Sequence, residues 1–255
     1  MLRTRIIPVL LMRDRGLVKT ERFRSPRYVG DPINIVRIFN EKEADELILL
    51  DIQATSSRAR PQFELLEQVA SEAFMPICYG GAVTSVADAK RLLRLGIEKV
   101  SVNTALFENP RLIEVLAGEL GSQCVVASVD VKRTWTGKYE VFSHSGRPVR
   151  EREVLRWIER LVKLGAGEVL VNAVDRDGTM KGYDLHLLRM IRGQFDVPII
   201  ACGGAESLDD MRGALHVGHL DALGVGARFV YEGPHRAVLI SYLSSSEISS
   251  LAHSQ

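Results

Sequence analysis

Two stretches decide the fold: "VPIIACGGAES", Val197–Ser207, and its earlier counterpart "MPICYGGAVTS", Met75–Ser85. Each is a short apolar run that breaks at two glycines and reaches a serine. An amphipathic pattern follows each serine. "SVADAKRLLRLG" places Val86, Ala89, Leu92 and Leu93 on one face and closes with Gly96. "SLDDMRGALHVG" does the same with Leu208, Met211, Ala214 and Leu215 and closes with Gly218. A serine N-cap, acidic residues in the first turn and a closing glycine are helix start and stop signals in the right order. The unit is therefore strand, glycine turn, helix, and it occurs at least twice.

Working outward, the same unit recurs along the chain. Apolar runs lie at Arg5–Leu11, Glu46–Asp51, Pro76–Tyr79, Lys99–Val102, Cys124–Asp130, Glu168–Asn172, Pro198–Cys202 and Ala222–Val225. Their Val, Ile and Leu content suits parallel strands covered on both faces. "ADELILLDI" from Ala44 parallels "AGEVLVNAV" from Ala166, and the opening run parallels the fifth. The expected fold is a single α/β domain over residues 1–240, a (β/α)8 TIM barrel whose halves, 1–120 and 121–240, repeat each other. The serine-rich segment 241–255 reads as a frayed polar tail.

Composition narrows the function. The 255 residues carry 33 Lys+Arg against 32 Asp+Glu, so nothing favours a nucleic-acid or polybasic membrane-surface binder. The apolar run Ile6–Met12, behind Arg3 and Arg5, is too short for a leader or a membrane span and holds Pro8. Cys78, Cys124 and Cys202 form no CxxC pair and read as free thiols in a reducing compartment. The expectation is a cytoplasmic protein. The six histidines show no metal-ligand spacing. His216 and His219 read as surface residues, and neither a metal nor a cofactor is expected.

In this barrel class the site lies at the C-terminal ends of the strands. Gly80-Gly81 follows the third run and Gly203-Gly204 the seventh; Asn103-Thr104 follows the fourth and Gly226-Ala227 the eighth. Glycine lets backbone N–H groups approach an anion, although a glycine pair also makes an ordinary tight turn. Two matching pairs across one mouth suit a ligand with a phosphate at each end. Asp130 ends the fifth run and can serve as general acid or base. Asp51 ends the second, while Asp175 and Asp177 stand in "DRDGT", which equally reads as a turn. Lys19 and Arg22 fall in a polar segment, Arg13–Tyr28, expected to be a mobile loop. At the strand starts stand Arg5, Glu46, Lys99 and Glu168, which can pair as a ring that is either structural or a gate.

Aligned on the repeat, "IIPVLLMRDRG" (Ile6–Gly16) puts Leu11 where "VVASVDVKRT" (Val125–Thr134) puts Asp130. The chain resembles the cyclase subunit of imidazole glycerol phosphate synthase (HisF). The resemblance rests on "LVK", "GDP", "ADELILLDI", "YGGAVTS", "EKVSVNTALFENP", "VVASVDVKR", "GAGEVLVNAVDRDGT", "KGYD" and "PIIACGGA", in order, from residue 4 to about 230.

That resemblance implies a glutaminase partner (HisH-like) at the bottom of the barrel. It implies a gate at Arg5, Glu46, Lys99 and Glu168, ammonia passing up the interior, and a phosphorylated ligand above. Asp130 matches the family's fifth-strand acid–base residue, and Lys19 and Asp51 also match. Its first-strand catalytic aspartate is Leu11 here, its third glycine after strand three is Ala82, and its serine after strand eight is Ala227. A leucine transfers no proton, and losing one of an acid–base pair removes about two to four orders of magnitude in rate. Asp14 is the nearest substitute. "DRGLVKT" and "MPICYGG" resemble a branch associated with surface-polysaccharide biosynthesis. Members of that branch supply ammonia for amidation or amidine formation on a nucleotide-linked sugar, with a third, sugar-modifying enzyme. A working cyclase of histidine biosynthesis, a scaffold that only docks and activates a glutaminase, and a phosphoribosyl isomerase are the alternatives.

Overall fold

The computed structural model describes residues 4–57, 59–143 and 149–252. Arg3 and the last three residues, named above with the leader and the tail, lie outside them. Eight parallel strands close into a barrel: β1 (Arg5–Arg13), then, after a hairpin of β2 (Gly16–Glu21) and β3 (Arg24–Gly30), β4 (Leu47–Asp51), β5 (Ile77–Gly80), β6 (Lys99–Val102), β7 (Val125–Arg133), β9 (Glu168–Ala173), β10 (Ile199–Cys202) and β11 (Ala222–Val225). β8 (Tyr139–Val141) pairs antiparallel with the end of β7. Closure comes from β11 against β1, with Arg5 opposite Ala222 and Pro8 opposite Val225. Pro8, which has no N–H to donate, is the last β1 residue in the β11 register, one residue before the β1–β4 ladder begins at Val9.

The helices form the outer ring: α1 (Pro32–Glu41), α2 (Phe63–Glu72), α3 (Val86–Arg94), α4 (Ala105–Glu108), α5 (Leu112–Leu120), α6 (Val154–Lys163), α7 (Leu185–Ile191), α8 (Leu208–Gly218), α9 (Ala227–Val230) and α10 (Ser245–Ala252). Ser85 caps α3 and Ser207 makes a full capping box with Asp210 on α8, as their spacing predicts. The stop of α8 differs. Gly218 remains helical, and His219 takes the left-handed turn at φ 47°.

Two expectations are corrected. Arg13–Tyr28 is not a loop but a hairpin continuing from β1, with Arg13 opposite Gly16 and Glu21 opposite Arg24. Its second turn sets both Arg22 (φ 50°) and Phe23 (φ 62°) in the left-handed region. That is the geometry a two-residue hairpin turn needs, built from residues that disfavour it. The energy comes from elsewhere: Arg22 N–H donates to the Asp177 carbonyl at 2.9 Å and Phe23 N–H to the Asp177 carboxylate at 3.3 Å.

Over its described residues, 241–252, the serine-rich segment is likewise packed rather than frayed. α10 buries Ile248 and Leu251, and Leu243 precedes it into the core. Tyr242 donates its hydroxyl to the Ile6 carbonyl at 2.7 Å, while Ile6 N–H donates to Asp45 at 3.1 Å. The β1–β4 ladder begins only at Val9 opposite Ile48, so these side chains satisfy the lower end of β1 that the ladder leaves open.

Candidate functional site

The strand period of two sorts the inward side chains into levels. At the bottom are Arg5 on β1, Glu46 just before β4, Lys99 on β6 and Glu168 on β9. They close into a four-membered ring. Arg5 donates to Glu46 at 2.6 Å and to Glu168. Lys99 donates to Glu46 at 2.9 and 3.0 Å and to Glu168 at 3.0 Å. The carboxylates are buried and the cations partly so. Burial opposes the charge on Arg5, but Glu168 and Glu46 outweigh it and hold the guanidinium above its ordinary value; the same balance raises Lys99.

Above the ring the interior is apolar: Ile7, Ile48, Cys78, Val126, Ile200 and Ala222. Burial pushes the Cys78 thiol well up, so it stays neutral. Cys78, Cys124 and Cys202 are all free thiols. Among the described residues no cluster of His, Cys, Asp or Glu is arranged to hold a metal ion, and His219 lies against Arg192.

The interior opens at the C-terminal face into a cavity of about 650 Å³. Val9, Leu11, Leu50, Ser101, Ser128, Leu170 and Cys202 form its lower wall. Asp130 stands over them. Asn103 Nδ2 donates to its Oδ2 at 2.8 Å, and Asn172 Nδ2 approaches Oδ1 at 3.5 Å. Burial dominates its titration, the two amides pull back, and Asp177 adds repulsion; the carboxyl is pushed up to about 7. Such a group is poised to exchange a proton near neutrality.

Leu11 lines the same cavity, nearly buried. Asp14 is no substitute: it occupies the tight turn after β1 at φ 55° and is absent from the cavity wall. Asp51 lines the cavity, but its Oδ1 is committed to the N–H groups of Gln53 and Ala54 at 3.0 and 2.9 Å. Its first role is to hold the turn after β4.

Neither Lys19 nor Arg22 is idle, and Lys19 is not solvated, although Arg22 is exposed. Lys19 is buried and paired with Asp177 at 3.1 Å, which also accepts from the Thr20 hydroxyl at 2.9 Å. Arg22 donates to the Asp175 carbonyl at 3.2 Å, and Asp175 accepts from Arg133 N–H at 2.7 Å. "DRDGT" is therefore both a turn and an anchor.

The glycine loops are split by the fold. Gly80, Gly81, Asn103 and Thr104 line the cavity; Gly203, Gly204, Gly226 and Ala227 do not. A Cβ at Gly81 (φ 140°) would lie 2.7 Å from Asp51 Cβ, so packing alone already demands glycine there. Ala82 follows with φ 49°, a left-handed alanine.

Two residues escaped sequence reasoning. Asn172 shares the inward face of β9 with Glu168 and Leu170, a signal available from the period of two. Its Oδ1 is buried without a partner among the described residues. Arg60 lines the cavity rim and pairs with Asp88, and no sequence pattern marked it.

Comparison with known proteins agrees with the geometry. The histidine biosynthesis protein family matches residues 5–235. "Putative imidazole glycerol phosphate synthase subunit hisF2" of Pseudomonas aeruginosa is 49% identical over 242 residues, covering 95% of this chain and 96% of the relative. "Putative imidazole glycerol phosphate synthase subunit hisF3" of Vibrio vulnificus is 46% identical, covering 97% and 95%. "Putative imidazole glycerol phosphate synthase subunit HisF" of Leptospira borgpetersenii is 44% identical, covering 95% and 96%.

Proposed function

The chain belongs to the histidine biosynthesis protein family and is HisF-like, and from that premise we propose that it conducts ammonia rather than closing an imidazole ring. The observation that carries this is the pairing of an intact bottom ring with an incomplete top. Arg5, Glu46, Lys99 and Glu168 are bonded to one another beneath an apolar interior. At the other end Asp130 faces a cavity whose β1 wall is Val9 and Leu11.

Ammonia is small and neutral in its reactive form. An apolar bore below a carboxyl with a pKa near 7 passes it without offering a proton until the mouth. A ring of paired charges excludes water and larger solutes, and opens by exchanging hydrogen bonds rather than unfolding. The source is a HisH-like glutaminase subunit docked beneath the ring. The product is delivered to a phosphorylated ligand at the mouth or passed to a third, sugar-modifying enzyme. The surface-polysaccharide setting is supported only by the resemblance of "DRGLVKT" and "MPICYGG" to that branch. Asp130 is the acid–base residue, with Asn103 and Asn172 orienting it. The Gly80–Gly81 and Asn103–Thr104 loops hold phosphate. We place the chain in the cytoplasm on the strength of its cysteine pattern. No described helix is long and apolar enough to cross a membrane.

The test supplies the purified chain with the open-chain bis-phosphate substrate of the cyclase and an ammonium salt. No imidazole product is expected. Turnover at the rate of a working synthase would overturn the proposal and make the chain a histidine-pathway cyclase. A glutaminase complex tests the conduit itself: Lys99→Ala should release more ammonia to bulk solvent per glutamine hydrolysed, and unchanged release would remove the gate.

A further inference from the structure

Beyond Asp130, the β7–β8 hairpin supplies no side chain to the barrel cavity. Its register sets Lys132 opposite Glu140 and Arg133 opposite Tyr139, so Lys132, Glu140 and Phe142 share one face. That face and Arg152 wall a separate groove of about 590 Å³, a volume in the range that small organic ligands fill. The groove and the cavity are neighbours. Phe142 lines the first, Phe23 lines the second, and their ring centroids lie 6.3 Å apart. Phe142 N–H also donates to the Asp130 carbonyl at 2.8 Å, which ties the groove to the upper part of β7.

The lining combines positive charge with an exposed aromatic face. Lys132, Arg133 and Arg152 set three cations against one carboxylate, Glu140. Glu140 is paired with Arg152 at 3.4 Å, but both side chains are exposed, so the pair is solvent-screened and exchanges readily for another anion. Lys132 has no carboxylate partner among the described residues, and its ammonium lies 5.0 Å from the Phe142 ring centre. Trp135 adds an indole at the hairpin turn that is 97% exposed, a large apolar face left in water. The turn beneath it is firmly built. Thr134 N–H donates to the Lys138 carbonyl at 2.7 Å, and Gly137 N–H to the Thr134 carbonyl at 2.9 Å. Tyr139 donates its hydroxyl to the Asp184 carboxylate at 2.7 Å, which fixes the hairpin to the N-terminus of α7. Indole and cations are therefore held together before any ligand arrives, which lowers the ordering cost of binding.

We infer that this groove binds a nucleoside diphosphate, with the base stacked on Trp135 and the phosphates met by Lys132, Arg133 and Arg152. The lining complements a planar ring and adjacent negative charges within one small molecule. A bare anion uses only the cations, and a neutral aromatic uses only the indole. A nucleotide uses both at once. The site lies outside the barrel interior and does not depend on ammonia conduction.

Titration of the full chain with ADP, with adenosine and with inorganic pyrophosphate, in the absence of divalent metal, tests this. The chain has two tryptophans. Trp157 is buried and stacked on Phe107, so a ligand-dependent change in indole emission reports Trp135. ADP should quench the emission saturably with a Kd below about 1 mM, and should bind at least about tenfold more tightly than adenosine or pyrophosphate. In calorimetry Lys132→Met should weaken ADP about tenfold, and Trp135→Ala should bring ADP down to the affinity of pyrophosphate. ADP binding no tighter than pyrophosphate overturns the proposal and leaves only a cationic surface. So does the lack of a saturable response up to about 5 mM ADP. ADP affinity unchanged in both variants puts the nucleotide elsewhere on the chain and overturns it too. Both substitutions lie outside the barrel core, and the three-ligand comparison on the unaltered chain decides the matter even if a variant fails to fold.

Discussion

Asn103 Nδ2 lies 2.8 Å from Asp130 Oδ2, a hydrogen bond from the end of one barrel strand to the end of the next. It is the shortest contact this carboxyl makes to its two amide neighbours, the other being Asn172 at 3.5 Å. Neither matches the stabilisation water would give a carboxylate, and so the acid form persists to about pH 7.

This gives a stability signature. A carboxyl whose folded pKa is raised holds its proton while the unfolded chain has released it. Its contribution is therefore fully present below the unfolded value of 3.8 and is lost as pH rises through about 7. Asp130→Asn, which stays neutral, should be close to the parent in stability at pH 4. At pH 8 it should exceed the parent by on the order of 1–3 kcal/mol. Urea melts at the two pH values measure this, and a pH-independent difference would place the Asp130 pKa in the ordinary range.

The charged ring should behave as one unit. Arg5→Ala and Glu168→Ala each strand a charge among partners, so the double variant should lose less than the sum of the singles. A coupling of about 1–3 kcal/mol is expected, reduced by the partial exposure of Arg5. Additivity within about 0.5 kcal/mol would mean the ring is a set of independent surface pairs.

Ala82 sits at φ 49°, where an alanine is strained and a glycine is not. Ala82→Gly should stabilise the fold by several tenths to about 1 kcal/mol, the relieved strain exceeding the added chain entropy. Thermal unfolding reads this directly, and a lower Tm would show that the turn relaxes without strain.

Asp177 should control the order of the hairpin. Asp177→Asn removes the charge from the pair with Lys19 and weakens its bonds to Thr20 and Phe23. Faster amide exchange is expected across β2 and β3, with the barrel strands unaffected. Equal protection in both proteins would show that the β1–β2 ladder alone holds the hairpin.

Much of this protein was legible in its residues. The eight strands, the half-barrel repeat and the serine caps came from local periodicity, and local periodicity is what backbone geometry enforces. The ring residues could be named in advance because all four stand at strand starts, where the period of two aims them inward. Leu11 was visible as the odd member of a repeat for the same reason.

What sequence missed shares one cause. The Arg22–Phe23 turn has no glycine or asparagine, so no local signal marks it; Asp177, more than 150 residues away, supplies the backbone carbonyl and the carboxylate that hold it. The serine-rich end becomes a helix because Leu243, Ile248 and Leu251 find the barrel wall, a reward no isolated segment of eight residues could give itself. The repeat made the two glycine loops look alike. Only the folded chain separates them: Gly80 and Gly81 line the cavity, while Gly203 and Gly204 pack against the Ala173 and Gly182 carbonyls. Local patterns fixed the barrel and the positions of its inward residues. Long-range contacts, which depend on where the closed barrel brings distant strands together, decided which of those positions form an open site.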